Sequence, residues 1–214
     1  AAIRLRLAPA LLEADVTPEL QAHLRLLGPA AASNSAAALA AVAAASAARL
    51  TRAQLNALAG ALERVEPMAG RLRARTLDDD VLVIDDTYNA NPRSVRIALA
   101  TASEIARARG TRLVIALGDM LELGLVSDDM HRQAVRDVAE AAPDQFVAVG
   151  PSMGAACRAV LDGNPRWFVH AYPDSRAAAA SIHDVVRRGD VVLVKGSRGI
   201  EMEKLIEALE KSSG

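Results

Sequence analysis

Residues 81–118 read VLVIDDTYNANPRSVRIALATASEIARARGTRLVIALG, and this stretch decides the fold. Two short apolar runs, 81–84 and 113–117, flank one long helical period. Asn91 can cap that helix, and Pro92 sits in its first turn, where a missing amide N–H costs nothing. Val95, Ala98, Leu99, Ala102 and Ala106 then recur on one face, and Gly110 stops the helix. Strands that are apolar throughout, joined by a helix, predict a parallel sheet covered on both faces.

The alternation continues downstream. Residues 146–149, 167–170 and 191–194 are further strand candidates, with helices starting near Ser127, Ser152 and Asp174. A last helix is expected to follow Gly199, carrying Ile200, Leu205, Ile206 and Leu209. The expected fold class is therefore α/β: a Rossmann-like, mostly parallel sheet with helices on both faces. Such sheets bind ligands at the carboxyl ends of their strands, near a switch in strand order. Four loops there are polar or carry glycine: 85–92, 118–122, Gly150 and 195–199.

Upstream the pattern differs. Residues 1–7 could be a strand, and an irregular stretch runs to Gly28. Two helices follow, the first with Ser33 or Asn34 as possible caps. The second opens on a Thr51/Gln54 capping box and runs to about Glu63. Two helices and a strand need a partner surface to bury their apolar faces. Residues 1–70 are thus expected to be the tail of one domain and residues 71–214 a second domain, with 65–70 as linker.

Composition narrows the function. Of 214 residues, 51% are apolar and only 2% aromatic, so the core must rest on Leu, Val, Ile and close Ala packing. A net charge of −1 supplies no field for nucleic acid or an anionic membrane. Lys195, Lys204 and Lys211 are the only lysines, a bias that fits a GC-rich genome. The one cysteine, Cys157, excludes a disulfide framework and lies in a helical pattern as a buried small residue. The longest apolar stretch, 36–48, is broken by Ser46 and falls short of the ~20 residues of a membrane span. No signal peptide opens the chain, so a soluble cytoplasmic protein is expected.

Several residues could carry chemistry. Asp85 and Asp86 close a strand, where a carboxylate can bond a ribose hydroxyl pair, help hold a metal, or cap the next turn. Asn89 and Asn91 supply amide donors and acceptors suited to a peptide backbone. Residues 195–199, with Lys195, Ser197 and Arg198 ahead of a helix, make an anion receptor that fits a carboxylate better than a triphosphate. Asp119, Glu122 and His131 match no standard metal spacing, which favours a structural role for His131. There is no P-loop, G-x-S-x-G elbow, H-E-x-x-H or G-x-G-x-x-G.

Three motifs resemble one family. Residues 85–92 are similar to D-D-[ST]-Y-N-A-N-P, residues 117–124 with His131 to L-G-D-M-x-E-L-G…H, and residues 194–198 with Met202-Glu203 to V-K-G-S-R…M-E. Gly70-Arg71 is similar to the Gly-Arg at the join of central and C-terminal domains. In this order, over residues 70–203, the chain resembles the C-terminal portion of the Mur ligases, and within them the MurF branch.

The resemblance implies an ATP-dependent ligase that adds D-alanyl-D-alanine to UDP-N-acetylmuramoyl-tripeptide in peptidoglycan synthesis. It implies that residues 1–70 end the central ATP-binding domain, which supplies the phosphate loop and Mg2+ sites. By the same likeness Arg71 and Asp86 are the catalytic candidates, at the ATP phosphates and the ribose. Asn34 and Tyr88 are the other nucleotide contacts. Asn89, Asn91, Lys195, Ser197 and Arg198 are the candidates for the dipeptide pocket, and no residue is assigned to a metal. The partners implied are ATP, Mg2+ and the two small-molecule substrates, with no nucleic acid or membrane, and the protein is expected to be a monomer.

One departure stands out. The family's G-x-H-N-x-x-N-x-x-A-A reads here with Ala30 and Ala31 in place of His and the first Asn, while Asn34 keeps the second. Lacking a P-loop, these 214 residues alone are expected to be inactive. The alternatives are a non-catalytic, degenerate Mur-ligase-like binding module or another Mur or folylpolyglutamate-type ligase.

Overall fold

The computed structural model describes residues 2–8, 11–14, 16–17, 19–25, 27–46, 49–161 and 168–211. The chain divides into two compact units, Ala1–Pro67 and Met68–Gly214.

The first unit pairs β1 (Ala2–Arg6) antiparallel with β2 (Glu19–His23), followed by α1 (Pro29–Ala45) and α2 (Arg52–Glu63). β2 falls in the stretch read as irregular. Its alternating burial puts Leu20 and Ala22 inward. Leu12, Val16, Leu20, Leu39, Ala43, Leu50 and Leu55 form a small core of its own. The Thr51/Gln54 capping box is present. The expected cap of α1 is corrected. Gly28 stands before a helix whose first residue is Pro29, and Ser33 and Asn34 lie inside it, exposed. Pro29 is preorganised for a first turn, and the alanine run lets the helix extend back to it.

The second unit contains β3 (Arg73–Thr76), β4 (Leu82–Asp86), α3 (Pro92–Arg109), β5 (Leu113–Gly118), α4 (Ser127–Ala141), β6 (Gln145–Val149), α5 (Pro151–Val160), β7 (Phe168–Tyr172), α6 (Ser175–Val185), β8 (Val191–Lys195) and α7 (Glu203–Lys211). The sheet order is β3-β4-β8-β5-β6-β7, parallel except for the edge strand β3. It is a mixed, mostly parallel sheet with helices on both faces. Val83, Val114, Val147, Val192 and Val194 pack with Ile182, Leu205 and Ile206 of α6 and α7. Their neighbours Ile84, Ile115 and Leu193 alternate to the other face, towards α3, and all are fully buried.

Helix α3 follows the expected face, burying Val95, Ala98, Leu99, Ala102 and Ala106 between an Asn91/Ser94 capping box and a left-handed Gly110. The strand expected at 167–170 is β7, displaced towards Tyr172; Trp167 lies outside the described residues. The last helix starts at Glu203, not directly after Gly199. Residues Arg198–Ile200 form a single tight turn that left-handed Glu201 (φ 57°) separates from α7.

This topology sets up the site. β8 is last in the chain but inserts between β4 and β5. The loops after β4, β5 and β8 therefore meet at one carboxyl edge, although more than a hundred residues separate the first from the last.

Candidate functional site at the carboxyl edge of the sheet

The edge is built in two layers. The lower one begins with Asp86 and Lys195, register partners on the neighbouring parallel strands β4 and β8. Lys195 Nζ donates to Asp86 Oδ2 at 2.5 Å and to the Asn89 carbonyl oxygen at 2.8 Å, and Lys195 is 1% exposed. Burial pushes the Asp86 carboxyl up and the Lys195 ammonium down, and each partner's opposite charge opposes that shift. Removing two ions from water costs enough that such a pair is justified only by good geometry.

The carboxylates of β4 also fix the backbone at the start of the second unit. Asp85 Oδ2 accepts the Gly70 N–H at 2.9 Å, and Asp86 Oδ1 accepts the Leu72 N–H at 3.1 Å. The Tyr88 N–H returns a bond to the Gly70 carbonyl. Gly70 has φ +73° and a Cβ there would meet Tyr88 N at 2.8 Å, so only glycine fits. The final residue of the expected linker is thus pinned to the sheet. Asp85 Oδ1 takes the Thr87 N–H and hydroxyl, the turn-capping alternative read from the sequence.

Behind β5, Asp119 is buried and accepts the Ser152 and Met153 N–H groups at the start of α5. A carboxylate there satisfies amides that lack helical partners. Gly150 (φ +105°) makes room: a Cβ would lie 2.5 Å from the Asp119 Cγ. His131, 1% exposed, accepts the Met120 N–H on Nε2 at 2.9 Å, while Nδ1 lies 2.7 Å from the Ser127 carbonyl oxygen. Nε2 therefore carries no proton in this arrangement, and its 3.9 Å approach to Asp119 is not an ion pair. His131 clamps the loop. Gly118 and Gly196 leave space for Met202, against which added Cβ atoms would come within 2.8 and 2.5 Å.

Ser197 joins the three loops. Its Oγ accepts the Leu121 N–H at 2.8 Å and reaches the Ala90 carbonyl at 3.5 Å, and its N–H donates to the Asp119 carbonyl oxygen.

The upper layer is exposed. Arg71 stacks its guanidinium 4.2 Å from the Tyr88 ring centroid. Asn89 Oδ1 accepts the Ala90 N–H, and Asn91 Oδ1 accepts the Ser94 N–H as the cap of α3. Both side chains are thereby oriented at the rim. The Arg198 side chain is 70% exposed and its nearest carboxylate, Glu203, stands at 3.8 Å. Among the sequence-derived candidates, the structure thus brings Arg71 to Tyr88, Asp86 to Lys195, and Ser197 to the Asn89–Asn91 loop. It does not bring Lys195 and Arg198 together as one anion receptor, because Lys195 turns inward to Asp86. Asn34 lies in the first unit, exposed on α1.

Sequence reasoning left Glu122 without a ligand role. It is exposed, sits at φ +63° in a left-handed conformation that costs a non-glycine residue roughly 1–2 kcal/mol, and engages no side-chain partner. Its spacing from Asp119 was legible; its backbone conformation was not.

The family model "Mur ligase, glutamate ligase domain" matches residues 70–198. UDP-N-acetylmuramoyl-tripeptide–D-alanyl-D-alanine ligase of Treponema pallidum (strain Nichols) is 33% identical over 150 residues, covering 70% of this chain and 32% of the relative. The ligase of the same name from Mycobacterium leprae (strain TN) is 34% identical over 172 residues, covering 73% and 33%. The crystal structure of MurF from Acinetobacter baumannii superposes with a TM-score of 0.73 at 30% identity, over 91% of this chain and 41% of that one. The chain spans about a third of the length of the curated relatives it matches.

Proposed function

This chain belongs to the Mur ligase family, and from that premise we propose that it is the C-terminal part of an ATP-dependent amide ligase that adds D-alanyl-D-alanine to UDP-N-acetylmuramoyl-tripeptide. One observation carries the reading: matched residues 70–198 contain the loops after β4, β5, β6 and β7 and the start of the loop after β8, and the relatives named above share one name and reaction. On this reading the first unit closes a central ATP-binding domain, and the second brings the dipeptide to an activated tripeptide carboxylate. The setting is cytoplasmic and the protein monomeric. Among the described residues no helix is long and apolar enough to cross a membrane.

The residues present suit parts of the nucleotide. Arg71, exposed and held flat on Tyr88, offers a fixed guanidinium fork to a phosphate. Asp86 holds Leu72 N–H on one oxygen and Lys195 on the other, and each oxygen keeps a second lone pair with which it can accept a ribose hydroxyl. Asn34 is a further nucleotide contact, from the first unit. No residue of this chain is assigned to magnesium, and among the described residues no three His, Cys, Asp or Glu side chains group to hold a metal. ATP supplies the driving force by activating the carboxylate. This unit's part is to bind and orient the amine that attacks, an entropic contribution.

The test is ADP formation by the ligase carrying this chain, given ATP, Mg2+ and UDP-muramoyl-tripeptide, with and without D-alanyl-D-alanine. Turnover that requires the dipeptide is expected. These 214 residues by themselves are expected to form no ADP, since no P-loop is present. Turnover only with another amino acid would assign a different ligase of the family. A folded protein without turnover would favour a binding relative, the reading to which Ala30 and Ala31 point.

A further inference from the structure

We infer that Glu122 holds the ammonium of the incoming dipeptide and Arg198 its carboxylate, so that the exposed rim reads the zwitterion. This rests on the proposed D-alanyl-D-alanine reaction.

The argument starts from elimination on geometry. Lys195 and Ser197 lie under the rim with their polar atoms committed to Asp86, Asn89, Leu121 and Ala90. Asp119 is spent on α5. Of the acids on the loops after β5 and β8, Glu201 pairs with Lys204, and Glu203 is the carboxylate nearest Arg198. Glu122 alone on these two loops carries a carboxylate that is exposed and bonded to no side chain or backbone group.

Its backbone strengthens the case. At φ +63° glycine would sit without strain, yet this position carries a charged side chain. Strain of this kind clusters at active sites and ligand clamps. Leu72 and Glu201, at φ 50° and 57°, border the same edge.

The hydrogen bonds bring the rim groups together. Leu121 N–H to Ser197 Oγ is one bond, and Glu122 and Arg198 each stand one residue beyond its two ends. Ser197 Oγ also reaches the Ala90 carbonyl, flanked by Asn89 and Asn91. Both asparagine Oδ1 atoms are used by backbone N–H groups, which orients the side chains and leaves the two NH2 groups to donate outward. A zwitterionic dipeptide presents an ammonium, a peptide carbonyl and a carboxylate. The rim answers with a carboxylate, two amide donors and a guanidinium, and with the exposed Leu121 side chain for a methyl.

The experiment measures KM for ATP, tripeptide and D-alanyl-D-alanine in the ligase carrying this chain, as wild type, Glu122→Gln and Arg198→Gln. N-acetyl-D-alanyl-D-alanine and the dipeptide C-terminal amide serve as competitors. Glu122→Gln is expected to raise the dipeptide KM by about tenfold or more, with the other two KM values essentially unchanged. It should also erase the wild-type preference for a free ammonium over the acetylated competitor. Arg198→Gln should erase the preference for a free carboxylate over the amide. An unchanged dipeptide KM, an equal loss for all three substrates, or a Glu122→Gln protein that still rejects the acetylated competitor would overturn the inference. Wild-type protein that turns over without the dipeptide would instead overturn the functional reading beneath it.

Discussion

Lys195 and Arg198 stand three residues apart on one loop, and Asp119 and Glu122 three apart on another, yet the members of each pair do opposite work. Lys195 and Asp119 are buried, and each is bonded to two groups that hold the edge together. Arg198 is exposed and pairs only loosely with Glu203 at 3.8 Å, and Glu122 is exposed and unpaired. A motif rich in charge thus divides between residues that fix loop geometry and residues that present chemistry. The former dominate the shared motifs: Asp85, Gly118, Asp119, His131, Lys195, Gly196 and Met202 all sit beneath the surface that meets solvent.

If that division is real, substitutions below the rim should cost stability and substitutions on it should not. The largest effect is expected from Lys195→Ala, which leaves Asp86 buried without its cation. A loss of about 3–5 kcal/mol should appear in urea denaturation, and a loss below about 1 kcal/mol would show that the pair is not structural. Gly150→Ala comes next, because φ +105° and the Asp119 carboxylate both oppose a Cβ. About 2–4 kcal/mol should be lost, seen as a lowered midpoint. Ser197→Ala strands the Leu121 N–H and should cost about 1–2 kcal/mol, with hydrogen exchange at that amide accelerated.

Cys157 gives a milder test of the layer beneath. Burial in α5 pushes its thiol up to about 11 from 9.0. A raised thiol means that the unfolded chain ionises first. The associated stability is full below about pH 9 and is lost as pH rises towards 11. Thermal melts across that range should show the decline, and Cys157→Ala should flatten it. The smallest effect has the opposite sign. Glu122→Gly relieves a left-handed glutamate and should stabilise the fold by up to about 1 kcal/mol. Dipeptide binding should weaken at the same time. Destabilisation would show that Glu122 belongs to the scaffold.

Much of this was legible beforehand and some was not. The face of α3, its Asn91 cap and its Gly110 stop follow from local spacing, and so does the Thr51/Gln54 box. The structural role of His131 also followed, from the lack of a metal-ligand pattern. β2 escaped because its apolar residues, Leu20 and Ala22, make too short an alternation to stand out. The cap of α1 was misplaced because Ser33 and Asn34 are good caps in isolation. A helix start depends on how far the chain before it remains helical, and here that is Pro29. The anion receptor at 195–199 was assembled from residue types without the strand order, which decides where Lys195 turns.

The sequence by itself determined the alternation of strand and helix, the polar carboxyl edge and the family, because these rest on local periodicity and on short contiguous motifs. Only the tertiary structure decided which charges meet. Asp86 and Lys195 are 109 residues apart and become neighbours because β8 inserts beside β4. Pairing of that kind depends on strand order and register, which no local pattern encodes. The side chains that such pairing leaves free are the ones able to meet a substrate.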